Sequence, residues 1–341
     1  MRAAQLYGAE KLSVEEVDDP TPEQPGDAVV RMVAAAVCGT DVRGYLGMPG
    51  PVQGPHCGHE FVGVVTDIGG DVTRLRVGDL VAAPTLYADG GCGPCVRGVF
   101  TACRSGGMFG VDIGGGQAEA IRVPFADATL VPVPMDETDD RLPAVVALTD
   151  VLSTGAHAVA SGRIAPGATV VVVGDGAVGL CSVLAARRAK AERIILLGRH
   201  DARLGIGTSF GATDIVTSRG EEAVAAVLEL TEGDGADLVV DAVGEQAALD
   251  TAVSTCAAGG TVAMVGGPYG NADPLERFMR NINLTSGAAP CRTYIEELLP
   301  EVLDGSLDAS AIFDHEVSLG EIVGGYQLMA DRRATKVLVR P

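Results

Sequence analysis

Positive charge is what this sequence most lacks: 25 Lys and Arg stand against 45 Asp and Glu, a formal net charge of −20. A partner rich in phosphate, whether nucleic acid or an anionic membrane, needs a basic face, so neither is expected here. The acidic residues are spread along the chain, and their default consequence is solubility. Long apolar runs are missing too. The stretch poorest in charge, 164–186, is broken by Pro166, Gly174, Asp175, Gly176 and Gly179, and reads as strand, turn and helix, not as a membrane span. The first residues, Met1-Arg2-Ala3-Ala4-Gln5, make no basic and apolar leader, so the expected setting is cytoplasmic. Neither internal repeats nor low-complexity segments occur.

What is present begins with a hydrophobic content of 47% over 341 residues, enough for two domains with cores of their own. Val170-Val171-Val172-Val173 is a strand too apolar to lie on a surface, and Gly174-Asp175-Gly176-Ala177-Val178-Gly179 follows it with the spacing G-x-G-x-x-G. In such a turn the first glycine permits the sharp bend, the second lets backbone approach a pyrophosphate, and the third lets the helix pack on the strand. The context is the required one: a helix over 180–189 and a second strand at 194–197. A dinucleotide site follows, with the pyrophosphate at the helix N-terminus.

Cofactor choice is read at the end of the second strand, where an acid selects NAD and its replacement by a cation suits the extra phosphate of NADP. The sequence there is Gly198-Arg199-His200-Asp201-Ala202-Arg203. Gly198 holds the acid's position, and Arg199, with His200 and Arg203, favours NADP. The alternative is that these are solvated loop charges and Asp201 takes the ribose of NAD.

Short extended segments punctuated by Gly and Pro, at 28–36, 61–68 and 80–83, make the first part of the chain all-β. From about 152 strand and helix alternate, with strands at 169–173, 193–197, 214–216, 238–240 and 261–265, the pattern of a parallel sheet covered on both faces. A helix over 294–304 and a strand at 336–339 return to the first part. The expected domains are therefore 1–151, 152–287 and 288–341, the last rejoining the first.

Eight cysteines without an export signal suggest thiols used as metal ligands. Cys92, Cys95 and Cys103 are clustered, whereas Cys181, Cys256 and Cys291 read as small buried residues. Cys38, ahead of Gly39-Thr40-Asp41, and His59 and Glu60 in Gly58-His59-Glu60 supply the donor types of a catalytic zinc.

Together these motifs resemble the zinc-dependent medium-chain alcohol dehydrogenases over nearly the whole chain. Cys38-Gly39-Thr40-Asp41, Gly58-His59-Glu60, Val77-Gly78-Asp79-Leu80-Val81, the glycine turn, Gly211-Ala212-Thr213-Asp214 and Val240-Asp241-Ala242-Val243-Gly244 fall in the family's order. The resemblance implies an α/β fold: a Rossmann doubly wound parallel sheet beside a GroES-like all-β catalytic domain. It implies a catalytic zinc held by Cys38, His59 and Asp150, with Glu60 as an exchangeable fourth ligand. Thr40 is implied to pass the substrate's proton, and Ala177, Val178, Val243 and Gly266 to join the glycines at the cofactor. Family members with a structural zinc place cysteine at each ligand position of C-x2-C-x2-C-x7-C. Here the first of these is Asp89, ahead of Cys92, Cys95 and Cys103, so the second zinc would have one oxygen ligand.

A further departure is Arg43, where the family often carries a His that relays the proton; arginine stays protonated and cannot act as a base. The expected reaction joins NADP(H), or NAD(H), to a small alcohol or ketone, with a pocket lined from the loop around Leu46, from Thr85 and near Phe109. A homodimer or homotetramer is implied, joined through the last strand of the cofactor sheet near 261–267. The rival readings are a zinc-less double-bond or quinone reductase, and a non-catalytic protein that binds cofactor and zinc.

Overall fold

The strand Ala28–Val37 shows why the first unit is a sheet: its residues are Val, Ala and Met apart from one Arg, and only Arg31 is exposed. Such a run is stable only with both faces covered. Around it lies a seven-stranded sheet in the order Phe313–Ser318, Lys336–Arg340, Ala28–Val37, Phe61–Ile68, Leu80–Ala83 and Val131–Pro132, with Ala120–Val123 also paired to Ala28–Val37. The computed structural model describes residues 1–48, 56–267 and 270–341. The chain forms two units, Met1–Asp150 with Pro290–Pro341, and Val151–Ala289.

The end of the chain pairs antiparallel to Ala28–Val37 with Val337 opposite Val37, which brings Lys336 beside the residues that follow that strand. Tryptophan is absent and only 7 Phe occur, so small aliphatic residues fill the core around a few rings. Phe61 meets Phe109 edge-on at 5.1 Å, and Tyr87 meets Phe109 at 5.5 Å. Phe109 is fully buried. Its ring belongs to the core. Leu46 is 40% exposed at the end of the helix Gly39–Tyr45, and 49–55, the rest of that loop, lie outside the described residues. The first unit also contains the helices Gly39–Tyr45, Leu142–Leu148 and Ile322–Ala330, beside Cys291–Leu303, which stands where a helix over 294–304 is expected. Two of these are 7 residues long, too short for helical periodicity to register in a sequence window.

The second unit is a six-stranded parallel sheet in the order Asp214–Val216, Arg193–Leu197, Thr169–Val173, Ala236–Asp241, Cys256–Met264 and Asn283–Ser286. Numbered along the unit this is 3-2-1-4-5-6, the doubly wound order, whose direction reverses between Thr169–Val173 and Ala236–Asp241. Val170, Val171 and Val172 are all fully buried, as a strand with helices on both faces requires. The last strand is Asn283–Ser286, not the 261–267 segment assigned to the edge from the sequence; Cys256–Met264 is flanked on both sides. Asn283-Leu284-Thr285-Ser286 carries too little apolar character to be read as a strand.

Candidate metal centres and cofactor turn

Cys38 follows the central strand and caps the helix Gly39–Tyr45. Its side chain accepts from the Thr40 N–H, while Asp41 Oδ2 accepts from the Cys38 N–H at 2.9 Å, a capping box that fixes the thiol's direction. His59 and Glu60 precede the neighbouring strand Phe61–Ile68. Asp150 follows the helix Leu142–Leu148. One donor atom from each of Cys38, His59, Glu60 and Asp150 lies within 4.8 Å of all the others. Cys38 Sγ is 3.5 Å and His59 Nε2 is 3.4 Å from Asp150 Oδ2.

Behind this group stands a buried polar layer that the sequence did not reveal. Asp41 Oδ1 lies 3.4 Å from His59 Nδ1, which leaves Nε2 directed at the cluster. Gln117 Nε2 donates to Asp41 Oδ2, and the Tyr326 hydroxyl donates to Gln117 Oε1. On the opposite side Lys336 Nζ donates to Glu60 Oε1 at 2.7 Å and to Val37 O at 3.3 Å, both side chains being essentially inaccessible. Burial alone would lower the Lys336 pKa, but the Glu60 carboxylate beside it holds it above the ordinary value. Glu60 Oε2 is buried without a hydrogen-bond partner.

Burial and the Asp150 carboxylate push the Cys38 thiol up to about 11. A thiolate and two carboxylates gathered out of water beside an imidazole repel one another as anions unless a cation lies among them. An orphaned carboxylate oxygen and a mixed S, N and O donor set fit zinc. Thr40 is the second residue of the capped helix, half-buried. Thr85 is buried and donates to Thr149 O, with Cys291 Sγ 3.6 Å from its oxygen.

The second group is Asp89, Cys92, Cys95 and Cys103, whose donor atoms also lie within 4.8 Å of one another. Cys92 caps the short helix Gly93–Val96, so Cys92 and Cys95 come from one turn and their sulfurs are 3.4 Å apart. Asp89 Oδ1 accepts from the Gly91 and Cys92 N–H groups, each at 2.9 Å, and the Asp89 N–H donates to Cys103 Sγ. Those backbone donors, Cys92 first, hold the Asp89 carboxyl well below the usual carboxylate range.

In the second unit Gly174 has φ +113, and a Cβ on Gly179 would stand 1.9 Å from Gly174 O, so neither position admits another residue without strain. Asp241 Oδ1 accepts from the Val243 and Gly244 N–H groups. Val243 is partly exposed, and its backbone approaches Gly266 so closely that a Cβ on Gly266 would lie 2.4 Å from Val243 N. Ala177 and Val178 open the helix Ala177–Arg188. Arg199 is exposed, while His200 and Arg203 turn toward Asp175, a residue the sequence reading left without a role. Asp201 begins the helix Asp201–Phe210 and is exposed.

Compared with known proteins, residues 24–135 match the alcohol dehydrogenase GroES-like domain and residues 177–303 the zinc-binding dehydrogenase family. A Mycobacterium tuberculosis protein designated a zinc-binding alcohol dehydrogenase is 35% identical over 332 residues, covering 96% of this chain and 84% of its own length. The solved alcohol dehydrogenase TADH from Thermus sp. ATN1 matches with a TM-score of 0.94 at 32% identity, each chain covered to 100%. A Sinorhizobium meliloti 1021 structure assigned to a zinc-binding dehydrogenase and bound to NADP gives 0.85 at 26% identity, covering 100% of this chain and 99% of its own.

Proposed function

Since the chain belongs to the zinc-type alcohol dehydrogenase family of medium-chain dehydrogenases, we propose that it is an NADP-preferring oxidoreductase acting on a secondary alcohol or polyol and the matching ketone. The observation that carries this reading is the convergence of Cys38, His59, Glu60 and Asp150 on one buried point. Zinc held there supplies Lewis-acid polarisation of the substrate oxygen, and the nicotinamide supplies or takes the hydride.

The chain's own residues do the rest. Asp41 holds the His59 ring so that Nε2 faces the cluster. Lys336 pins one oxygen of Glu60 and leaves the other available. Cys38, His59 and Asp150 are the permanent ligands in this reading, and Glu60 the exchangeable one. The Thr40 hydroxyl, able both to donate and to accept, carries the substrate's hydroxyl proton. Arg43 cannot relay it further, so water or the ribose hydroxyls take that part. Asp89, Cys92, Cys95 and Cys103 hold a second, structural zinc. NADP is favoured because Gly198 presents no acid and Arg199, His200 and Arg203 lie on the following loop.

A homo-oligomer is part of the proposal, with the edge strand Asn283–Ser286 as the pairing element, since an unpaired strand edge is a template for a second copy. The testing experiment is turnover of NADP(H) and NAD(H) with a panel of alcohols and ketones, before and after chelation. Metal-dependent oxidation of secondary alcohols is the expected result. Turnover unaffected by complete removal of zinc would overturn it.

A further inference from the structure

At the end of the second strand, where an NAD-selecting dinucleotide fold carries a carboxylate, this chain has Gly198, and a carboxylate, Asp175, stands in the glycine-rich turn beside it. A Cβ on Gly198 would stand 2.6 Å from Asp175 Cβ and 2.8 Å from Asp175 Oδ2. No side chain fits at position 198 while Asp175 is in place. Asp175 thus does more than leave the strand-end position empty: it forbids an acid there.

Asp175 is not free to take the missing acid's place on a ribose. Its Oδ2 accepts from the Arg199 N–H at 2.8 Å and the His200 N–H at 2.9 Å, and lies 2.8 Å from His200 Nδ1. Oδ1 is 3.1 Å from the same ring nitrogen and 3.8 Å from Arg203 Nη1. The side chain is nearly enclosed, at 9% exposure. Its carboxylate is thus turned into the protein, with Oδ2 committed to the loop that carries Arg199, His200 and Arg203. Burial by itself would raise the Asp175 carboxyl, but the donors from His200 and Arg199 hold it below its ordinary value, as expected of a carboxylate with a fixed set of N–H partners.

We propose that Asp175 sets the choice between the two nicotinamide cofactors as a positioning residue, excluding a ribose-binding acid at Gly198 and holding Arg199, His200 and Arg203 around the 2′-phosphate of NADP. The inference rests on the NADP reading above and names the residue on which that reading depends. Arg199 is the exposed member and meets the phosphate directly. Its backbone is tied to Asp175, so the direction of its side chain follows from that bond. His200 and Arg203 are held at the back of the same site, where the Arg203 guanidinium offsets the Asp175 charge that would otherwise repel a phosphate.

The test measures binding of NADPH and NADH separately, by quenching or enhancement of cofactor fluorescence, to the purified wild type, Asp175→Ala and the double variant Asp175→Gly/Gly198→Asp, which removes the Asp175 Cβ as well as its carboxylate. Wild type should bind NADPH more tightly. Asp175→Ala should weaken NADPH about tenfold or more, the effect of losing a charged hydrogen-bonding group, while NADH changes by less than about threefold. The double variant, with room for the acid, should prefer NADH. Should Asp175→Ala fold poorly by thermal melting, Asp175→Asn, which keeps the shape and one acceptor, should shift the NADPH-to-NADH ratio in the same direction by less. A wild type that prefers NADH overturns the NADP reading, and the phosphate site with it. A wild type that prefers NADPH, with a ratio unmoved in the variants or both affinities falling in parallel, overturns the role of Asp175 alone.

Discussion

The two side-chain clusters of the first unit each gather four donor side chains, and they are built in opposite ways. The Asp89 cluster is local: its members lie within 14 residues, backbone N–H groups of the same loop hold its carboxylate, and three of the four residues are only half-buried. The Cys38 cluster is assembled from residues up to 112 apart, sits in the core, and depends on Asp41, Gln117, Tyr326 and Lys336 for its orientation. A loop can close a metal site by itself when thiols dominate and water is near. A site that mixes carboxylates with a thiol out of water needs a second layer to aim each donor.

That contrast can be broken most forcefully at Cys38. Cys38→Ala should lower turnover at least about a thousandfold, the several kcal/mol that a Lewis acid supplies, while NADPH binding in the other unit stays unchanged. Fluorescence titration beside steady-state assays separates the two. Next in size is Lys336→Met, which strands the Glu60 carboxylate in the core and should cost about 3–5 kcal/mol in a denaturant titration. Lys336→Met/Glu60→Gln should recover much of that loss, because both charges then leave together.

Asp41→Asn is the sharper test of the supporting layer, and should cost about 10–100-fold in zinc affinity or activity with the ligands themselves intact. The Asp89 cluster should respond differently. Asp89→Ala should weaken zinc held there, seen as the earlier loss of one metal in a chelator titration, and leave turnover within about threefold of wild type.

The smallest effect concerns acid. In metal-free protein the depressed Asp89 carboxyl stabilises the fold above its unfolded pKa of about 3.9, and this is lost as pH falls through the lower folded value. Asp89→Asn should remove that part of the acid dependence in a pH series of melts.

Parts of the chain with a local physical signature were legible without coordinates. The strands Thr169–Val173, Arg193–Leu197 and Asp214–Val216 stand where apolar runs and glycine turns place them. Asn283–Ser286 was missed because a polar edge strand has no such signature. Lys336 is the clearest omission. A lysine opening a C-terminal strand reads as solvated, and only the pairing of Val337 with Val37 brings it against Glu60.

By itself, then, the sequence determined the donor types, the glycine turn and the alternation of strand and helix, since each follows from residue chemistry at short spacing. Only the tertiary structure decided which carboxylates are aimed and which are spent. Asp41 and Glu60 became partners of His59 and Lys336, and Asp175 the anchor of the loop that follows Gly198. The physical reason is that a buried charge takes its role from the groups that surround it in space, and those groups come from distant parts of the chain.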